Sequence, residues 1–294
     1  MVKGRQLYKC HACGRQFLGG ERLNPQELLR EYLECKQTYG QLADRHGCSA
    51  RTIKRCLDRA VPVNNTEFAS GAVVVMDTTY FGRPLGVMAF KNAADGSILL
   101  IKFVNNETVS GYVRGIARIE TRGIKVSAIV CDGRKGIVQA FPDIPVQICQ
   151  FHQVKNVTKY LTKKPKSAAA IGLKAVSSAL VHCSEKEFAA LLDRWHAKWG
   201  HVLKERSLNP ETGKTTYTPK RMRSAYLSMR RNLHNLFAYA HYQGLAIPNT
   251  TNCLDGQFSD LKNKLRNHNG LSLKRKKKLI ESYFEAKPAD DRLS

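Results

Sequence analysis

Two short apolar segments of this chain each end on an aspartate, and this pattern restricts the fold more than any other feature. Residues 73–76 (VVVM) lead into Asp77, and residues 128–131 (AIVC) lead into Asp132. A third acid, Asp255, follows near the start of a predicted helix. A carboxylate at the end of a buried strand is costly to desolvate unless it is compensated, and a bound divalent cation compensates it well. The spacing therefore predicts an α/β protein in which three carboxylates serve a metal site.

The charge of the chain narrows the class of partner. Its 294 residues contain 48 Lys plus Arg against 24 Asp plus Glu, which gives a formal net charge of +24. Such an excess indicates a polyanionic partner, of which nucleic acid is the most common. An anionic membrane surface is the weaker alternative, because no basic amphipathic helix stands out. Divalent cations hold the attacking and leaving oxygens in phosphodiester chemistry, so the acids and the charge together predict an enzyme that cuts or joins nucleic acid.

The sequence also indicates a compartment. It contains no run of about 18 apolar residues that would span a membrane. No apolar segment follows the basic first residues, so we expect neither a transmembrane helix nor a signal peptide. Nine cysteines are dispersed along the chain, which indicates reduced thiols inside a cell.

One cysteine pair, Cys10 and Cys13 within residues 1–20, has metal-ligand spacing. A Cys-x-x-Cys turn flanked by aromatic residues suits tetrahedral zinc, but zinc takes four ligands and no second pair lies nearby. Two interpretations stay open: a partial zinc-ribbon knuckle whose first half is missing, or a free pair of thiols.

Residues 21–62 predict a helix-turn-helix. Gly47 permits the turn, Ser49 can cap the next helix, and Ile53 would face the protein interior. The outer face of that helix carries Arg51, Thr52, Lys54 and Arg55. A basic second helix of this kind reads the major groove of DNA. The alternative is a generic helical hairpin whose charges are solvated.

The remaining residues predict a core that is interrupted by a helical insertion. After a linker at 61–71, a mixed sheet with packed helices is predicted over 70–162, and helices are predicted over 163–248. Residues 249–294 are predicted to return to the core with one helix and a basic tail. The predicted strands are 72–80, 84–91, 97–104, 126–131 and 145–149, and the predicted helices include 108–121, 134–140, 168–181, 185–199, 221–242 and 252–265. The basic run 274–278 is predicted to be a solvated face or a contact to phosphates.

Each aspartate also has an ordinary structural explanation. Asp77 and Asp132 could begin turns after their strands, and Asp255 could follow a helix cap at Asn252. It is the arrangement of the three acids, two at strand ends and one on a later helix, that favours a site.

A series of short motifs resembles the Mutator-like transposases of bacterial insertion sequences, which have an acidic-triad, ribonuclease H-like core. The matching motifs are Met76-Asp77-Thr78-Thr79, Val130-Cys131-Asp132-Gly133, Cys149-Gln150-Phe151-His152, Trp195 and Thr251-Asn252-Cys253-Leu254-Asp255. The resemblance covers most of the chain. It implies a ribonuclease H-like mixed sheet in which the strands that end at Asp77 and Asp132 are neighbours. It also implies that the zinc-ribbon remnant and the helix-turn-helix precede this core.

The chain departs from the family pattern at two places, and several matching residues have two interpretations. Asp255 stands where the family usually has Glu, and the zinc ribbon is only half present.

Cys149 and His152 match the family's Cys-x-x-His signature and serve either as metal ligands or as core structure. Trp195 either packs in the core or stacks on an unpaired base beside the cleavage site.

The resemblance implies a DNA transposase that cleaves strands at element ends and transfers them into target DNA. Asp77, Asp132 and Asp255 would be the catalytic residues and would bind Mg²⁺ or Mn²⁺, and Zn²⁺ is implied only at Cys10 and Cys13. The implied partners are double-stranded DNA at transposon ends, target DNA and further copies of the chain in a homodimer or higher oligomer on DNA. We expect no membrane association and a nucleoid-associated location in a bacterial cytoplasm. The alternatives are a non-catalytic DNA-binding protein derived from a transposase and a nuclease on the same core, which would not explain the helix-turn-helix.

Overall fold

The computed structural model of the chain describes residues 7–18, 23–35, 37–60, 71–82, 84–208, 213, 215–268 and 270–285. The described residues form two compact units, one made of those before 61 together with those from 260 onward, and the other of those between 71 and 259. The predicted linker lies outside the described residues except for Gly71, which begins a strand. Among the described helices, none is long and apolar enough to cross a membrane.

The helices and strands are numbered here in chain order. The strands are β1 (Leu7–Lys9), β2 (Gln16–Leu18), β3 (Gly71–Tyr80), β4 (Gly86–Asn92), β5 (Ile98–Val104), β6 (Lys125–Cys131), β7 (Val146–Ile148), β8 (Arg206–Leu208) and β9 (Thr215–Tyr217). The helices are α1 (Pro25–Glu34), α2 (Tyr39–Arg45), α3 (Ala50–Arg59), α4 (Val109–Glu120), α5 (Ile137–Ala140), α6 (Gln150–Leu161), α7 (Ala168–Ala179), α8 (Glu185–Trp199), α9 (Lys220–Arg231), α10 (Leu233–Leu236), α11 (Ala238–His241), α12 (Asn252–Arg266) and α13 (Leu273–Glu285).

A five-stranded mixed sheet forms the centre of the second unit and confirms the predicted mixed α/β class. Its strand order is β5-β4-β3-β6-β7, with β3 antiparallel to β4 and parallel to β6. The predicted strands and the helix 108–121 agree with β3 to β7 and α4 to within a few residues. Helix α4 packs closely on the sheet at Gly115, because a Cβ atom there would lie only 2.1 Å from the Phe90 ring.

The register of the two central parallel strands brings two of the predicted acids to the same level. Val75 on β3 lies opposite Val130 on β6. Asp77 and Asp132 each follow two residues later, so they face the same side of the sheet at the level where β6 ends, and neighbouring strands are spaced by about 4.8 Å. Gly133 turns the chain directly after Asp132 with φ +79°. A Cβ atom on Gly133 would lie 2.7 Å from the side chain of Ile148, so the position has no room for a side chain.

The predicted continuous helix over 221–242 is wrong. Helix α9 ends at Arg231, and two short helices, α10 and α11, replace its second half. The reason is a buried amide from the sheet: Gln147 donates to the carbonyl of Leu236 at 2.9 Å and accepts the N–H of Tyr239 at 2.9 Å. These contacts satisfy backbone groups that a continuous helix would have paired internally. The hairpin of β8 and β9 was also not predicted.

The first unit contains the three helices α1, α2 and α3. Ser49 caps α3 as predicted, accepting the N–H of Thr52 at 3.2 Å, and Gly47 adopts φ +55° in the turn before it. Ile53 and Leu57 are buried, in agreement with the predicted inner face.

The basic run 274–278, predicted as part of a basic tail, belongs to helix α13, and α13 packs with the N-terminal helices. Arg275 forms a two-point contact with Asp58, with nitrogen–oxygen distances of 3.0 and 2.7 Å. The His268 ring stacks on Tyr32 with a centroid distance of 4.0 Å. Residues 260–285, which the sequence assigned to the core, therefore group with residues 23–60 in the structure.

Candidate functional site

A cluster of two carboxylates and one imidazole lies at the carboxyl end of the central strands. One ligand atom from each of Asp77, His152 and Asp255 lies within 4.8 Å of the others. Asp77 comes from β3, His152 from the first turn of α6, and Asp255 from the first turn of α12. Two of the three predicted acids are thus brought together although they lie far apart in sequence, and the shorter side chain of Asp255 still reaches the cluster.

Asp132 is the third predicted acid, and it lies beside this cluster rather than within its 4.8 Å group. Its Oδ1 atom accepts the backbone N–H of Arg134 at 3.0 Å, which agrees with the turn explanation for this residue. Its charge is nonetheless close enough to raise the pKa of both Asp77 and Glu107.

The Cys-x-x-His and Thr-Asn-x-x-Asp motifs meet through the hydroxyl of Thr251. This hydroxyl oxygen lies 3.2 Å from Nδ1 of His152 and 3.2 Å from Oδ2 of Asp255. The backbone N–H of Thr251 donates to the buried sulfur of Cys149 at 3.3 Å. Helix α12 begins at Asn252, so the position before the helix belongs to Thr251 and not to Asn252 as predicted.

The protein environment shifts the pKa values of the residues in the cluster. Burial, together with the neighbouring carboxylates Asp255 and Asp132, raises the pKa of Asp77 to about 7. A hydrogen bond with Cys149 and the charges of Asp255 and Asp77 raise the pKa of His152 to about 9. Burial alone would raise the pKa of Cys149, but hydrogen bonds from His152 and Thr251 outweigh it and lower that pKa. Without a metal, an imidazolium therefore supplies the positive charge that balances the acids.

Sequence reasoning missed a second carboxylate beside the site, Glu107. Its Oε1 atom accepts the hydroxyl of Tyr112 at 2.9 Å, and Tyr112 in turn lies 2.7 Å from the hydroxyl of Thr78. Its Oε2 atom pairs with Arg134 at 2.9 Å. Glu107 thus links the strand end that carries Asp77 to the turn that carries Asp132. A single Glu in a loop before a helix gives no sequence signal of such a role.

Trp195 is only 5% exposed, which agrees with the core interpretation. Its indole N–H donates to the carbonyl of Ala169 at 2.9 Å, and its ring stacks on Tyr226 with centroids 5.3 Å apart. In this arrangement the indole is not open to a nucleic-acid base. The exposed aromatic residue beside the cluster is instead Phe151, which is 49% exposed and packs edge-on against His152.

The remaining predicted residues lie in the first unit. Cys10 and Cys13 sit in the turn between β1 and β2, and backbone hydrogen bonds from Cys13 and Ala12 lower the pKa of Cys10. Such a turn suits a metal thiolate pair, but no further cysteine or histidine joins it among the described residues. On α3, Arg51 and Arg55 are exposed, and Thr52 and Lys54 are half-buried. The ammonium of Lys54 lies 5.1 Å above the ring of Tyr39.

The donor set of the cluster fits a divalent cation. Carboxylate oxygens are the ligands that Mg²⁺ and Mn²⁺ prefer, and an imidazole is tolerated by Mn²⁺. The pKa of Asp77 is raised first by burial and then by the neighbouring carboxylates, both of which disfavour its ionised form. A bound cation would favour that form, so we expect metal binding and ionisation of Asp77 to be linked.

The first prediction concerns pH. Because the folded-state pKa of Asp77, about 7, lies above its ordinary value of 3.8, proton binding stabilises the metal-free fold at acidic pH, and this contribution is lost as pH rises through 7. Mn²⁺ competes with that proton, so the rise in melting temperature caused by Mn²⁺ should be larger at about pH 8 than at about pH 6. Melting curves with and without Mn²⁺ measure it. Asp77→Asn should reduce the pH dependence of the Mn²⁺ effect and leave only the part that His152 contributes; an unchanged profile would contradict the assignment.

The second prediction concerns Thr251. In Thr251→Val the hydroxyl that contacts both His152 and Asp255 is lost while the side-chain shape is kept, so Mn²⁺ affinity should fall by about 10-fold or more. Thr251→Ser retains the hydroxyl and is the matched control, with affinity close to that of the wild type. Mn²⁺ titration followed by electron paramagnetic resonance gives both values. Equal affinities for the Val and Ser variants would show that the hydroxyl does not position the cluster.

The comparisons with known proteins agree with the motifs on which the cluster is built. The sequence profile described as Transposase, Mutator family, matches residues 85–236, which include Asp132, Cys149 and His152. Asp77 and Asp255 lie outside the matched range, so their place in the cluster rests on the geometry above. A comparison with curated protein sequences found no match. Since the profile covers slightly more than half of the chain, the protein belongs to the Mutator family of transposases.

Proposed function

We propose that this chain is a catalytically active DNA transposase, which cleaves DNA strands at the ends of its element and joins them to target DNA. The observation that carries the proposal is the convergence of Asp77, His152 and Asp255 within 4.8 Å in a member of this family. The excess of positive charge supports a DNA substrate, because neutralising phosphates supplies most of the sequence-independent affinity.

The central sheet supports a ribonuclease H-like core. Three antiparallel strands are followed by two that add in parallel, with the first strand of the sheet in the middle. The acids Asp77 and Asp132 then lie side by side on the two strands at the centre. This is the arrangement that the sequence resemblance implied for the first two members of an acidic triad.

We infer that Asp77, Asp132 and Asp255 hold Mg²⁺ or Mn²⁺. When bound, such ions supply positive charge that holds and polarises the attacking and leaving oxygens of the phosphodiester. Asp77 and Asp255, whose carboxylates meet in the cluster, would hold such an ion, and Asp132, whose Oδ1 atom accepts the N–H of Arg134 beside them, would add the third carboxylate. Thr251 and Glu107 act as positioning residues: Thr251 connects Asp255 to the imidazole of His152, and Glu107 connects the turn after Asp132 to Tyr112, which contacts Thr78 next to Asp77.

The surroundings of His152 suggest how the substrate lies. Once the three carboxylates hold the ions, His152 is a neighbouring group rather than a ligand. As an imidazolium it would attract the scissile phosphate toward the acids, and Thr251 and Cys149 hold it in place. Phe151 precedes it and leaves about half of its surface exposed. We propose that Phe151, rather than Trp195, offers a stacking surface to a base next to the cleaved bond.

The first unit supports recognition of DNA ends by a helix-turn-helix. Helix α3 exposes Arg51 and Arg55 one helical turn apart, on the face opposite to the buried Ile53 and Leu57. Double-stranded DNA at the element ends would be read by this face. Assembly of a homodimer or higher oligomer on the two ends remains part of the proposal.

The third prediction separates catalysis from binding. Asp77→Asn removes one negative charge from the metal cluster and none of the basic surface. Strand nicking should fall by at least ~100-fold, because the ions contribute several kcal/mol to the transition state. DNA binding should persist or rise slightly, since repulsion of phosphate is reduced. The measurement is a nicking assay and a gel shift on one labelled end fragment.

The same experiment decides between the proposed enzyme and a non-catalytic descendant. A wild-type protein that binds the fragment but does not nick it with Mg²⁺ or Mn²⁺ would favour the non-catalytic DNA-binding protein. Nicking by Asp77→Asn at the wild-type rate would remove Asp77 from the catalytic residues. Asp193→Asn, on the exposed surface of α8, is a charge-matched control that should nick like the wild type.

The fourth prediction concerns α3. Replacing Arg51 and Arg55 together by Ala should weaken binding to element ends by at least about 10-fold, because each contact to a base edge contributes ~1–3 kcal/mol. The control is the pair Lys163 and Lys166, which are exposed in the loop between α6 and α7 and carry the same charge. Gel shifts on specific and unrelated DNA measure both variants. Equal losses for the two pairs would show that α3 does not read sequence.

A further inference from the structure

The helical insertion contains a second group of metal-ligand side chains, well separated in sequence from the acidic triad. One ligand atom from each of Glu185, His234 and His241 lies within 4.8 Å of the others. Oε2 of Glu185 lies 2.7 Å from Nε2 of His241, and the two imidazole rings stack with centroids 4.6 Å apart. We propose that these three residues bind Zn²⁺ or a related divalent transition-metal ion.

This group exists only because the helix after α9 is broken. On a continuous α-helix the Cα atoms of His234 and His241 would be separated by about 10.5 Å along the axis. The break at Phe237, enforced by Gln147 through its bonds to the backbone of Leu236 and Tyr239, instead stacks the two rings. The sheet therefore brings the two histidines together, because Gln147 on β7 stabilises the break in the helix.

The donor chemistry selects the class of metal. Two imidazole nitrogens and one carboxylate oxygen form a known donor set for Zn²⁺, with water at the fourth position. Ligand atoms about 2.1 Å from a tetrahedral ion lie about 3.4 Å apart, which small side-chain rotations from the present separations would reach. Glu185 and His241 are each partly exposed, so an ion and its water have access. Mg²⁺, which prefers oxygen ligands, is a poor match to this group.

A simple ion pair between Glu185 and His241 is the ordinary explanation of the short contact. It assigns no role to His234, although His234 is stacked on His241 at the surface, where two like imidazoles gain little from burial. A shared ion gives all three side chains a role. The ion would connect the first turn of α8, which carries Glu185, to the short helices α10 and α11. Because the ion would bind the folded form and not the unfolded chain, it would stabilise the insertion.

The test uses the full-length chain with the other candidate metal ligands disabled by Cys10→Ser, Cys13→Ser and Asp77→Asn. Co²⁺ is added and its visible absorption is followed, and Zn²⁺ is then titrated in competition. We expect one equivalent of Zn²⁺ per chain and a rise in melting temperature. His234→Ala and His241→Ala should each weaken Zn²⁺ binding by at least about 10-fold, whereas His201→Ala, an exposed histidine outside the group, should not.

Glu185→Gln guards against the case in which a histidine variant fails to fold. It keeps a hydrogen-bond acceptor for His241 but removes the anionic ligand, so Zn²⁺ affinity should fall while circular dichroism stays unchanged. The proposal is overturned if the background protein binds no stoichiometric Zn²⁺, if Glu185→Gln binds it as tightly as the background, or if His201→Ala loses as much affinity as His234→Ala. None of these outcomes bears on strand cleavage, because Asp77 is already replaced and only metal binding is measured.

Discussion

Because β3 and β6 pair in parallel with Val75 opposite Val130, the two acids that follow must lie at the same level on the same face of the sheet. A slip of one residue would turn Asp132 to the face that packs against α4, where Met76 and Cys131 are buried. The hydrophobic pattern of both strands therefore fixes the register, and the register fixes the site. Two like charges are held together by the same burial that raises the pKa of Asp77 to about 7. A fold that enforces such a pair needs a cation beside it, whether His152 or a metal ion.

Buried amide side chains also help to position the site, at the edge strand β7. Gln147 on β7 and Gln150 at the start of α6 both donate to the carbonyl of Leu236, at 2.9 and 3.0 Å. Asn235 donates to the carbonyl of Val146 at 3.0 Å. These bonds tie the insertion to the strand that precedes the Cys-x-x-His motif, so the position of His152 depends on contacts made by residues far along the chain. Buried polar groups of this kind are costly unless fully satisfied, which makes the arrangement specific.

The sequence was sufficient for features that arise from local chemistry. The apolar runs ending at Asp77 and Asp132, the cap at Ser49 and the buried position of Ile53 follow from periodicity and from turn residues. It was not sufficient where a distant side chain decides the local structure. The break at Phe237 has no local signal such as Gly or Pro, because the group that enforces it is Gln147. Likewise, nothing near Glu107 indicates that Tyr112 and Arg134 will hold it beside the acids.

Asp255 stands where the sequence resemblance implied Glu, and its surroundings place this shorter acid in the cluster. The side chain is shorter by one methylene than the Glu that the resemblance implies, yet one ligand atom of Asp255 lies with those of Asp77 and His152 within 4.8 Å. Two contacts hold the start of α12 in place: the backbone N–H of Thr251, the residue before the helix, donates to the sulfur of Cys149 at 3.3 Å, and Lys91 donates to the carbonyl of Cys253 at 3.4 Å. Both contacts use backbone atoms of this segment and do not depend on which acid follows. The position of the helix, rather than the length of the acid it carries, therefore determines whether a third carboxylate reaches the site.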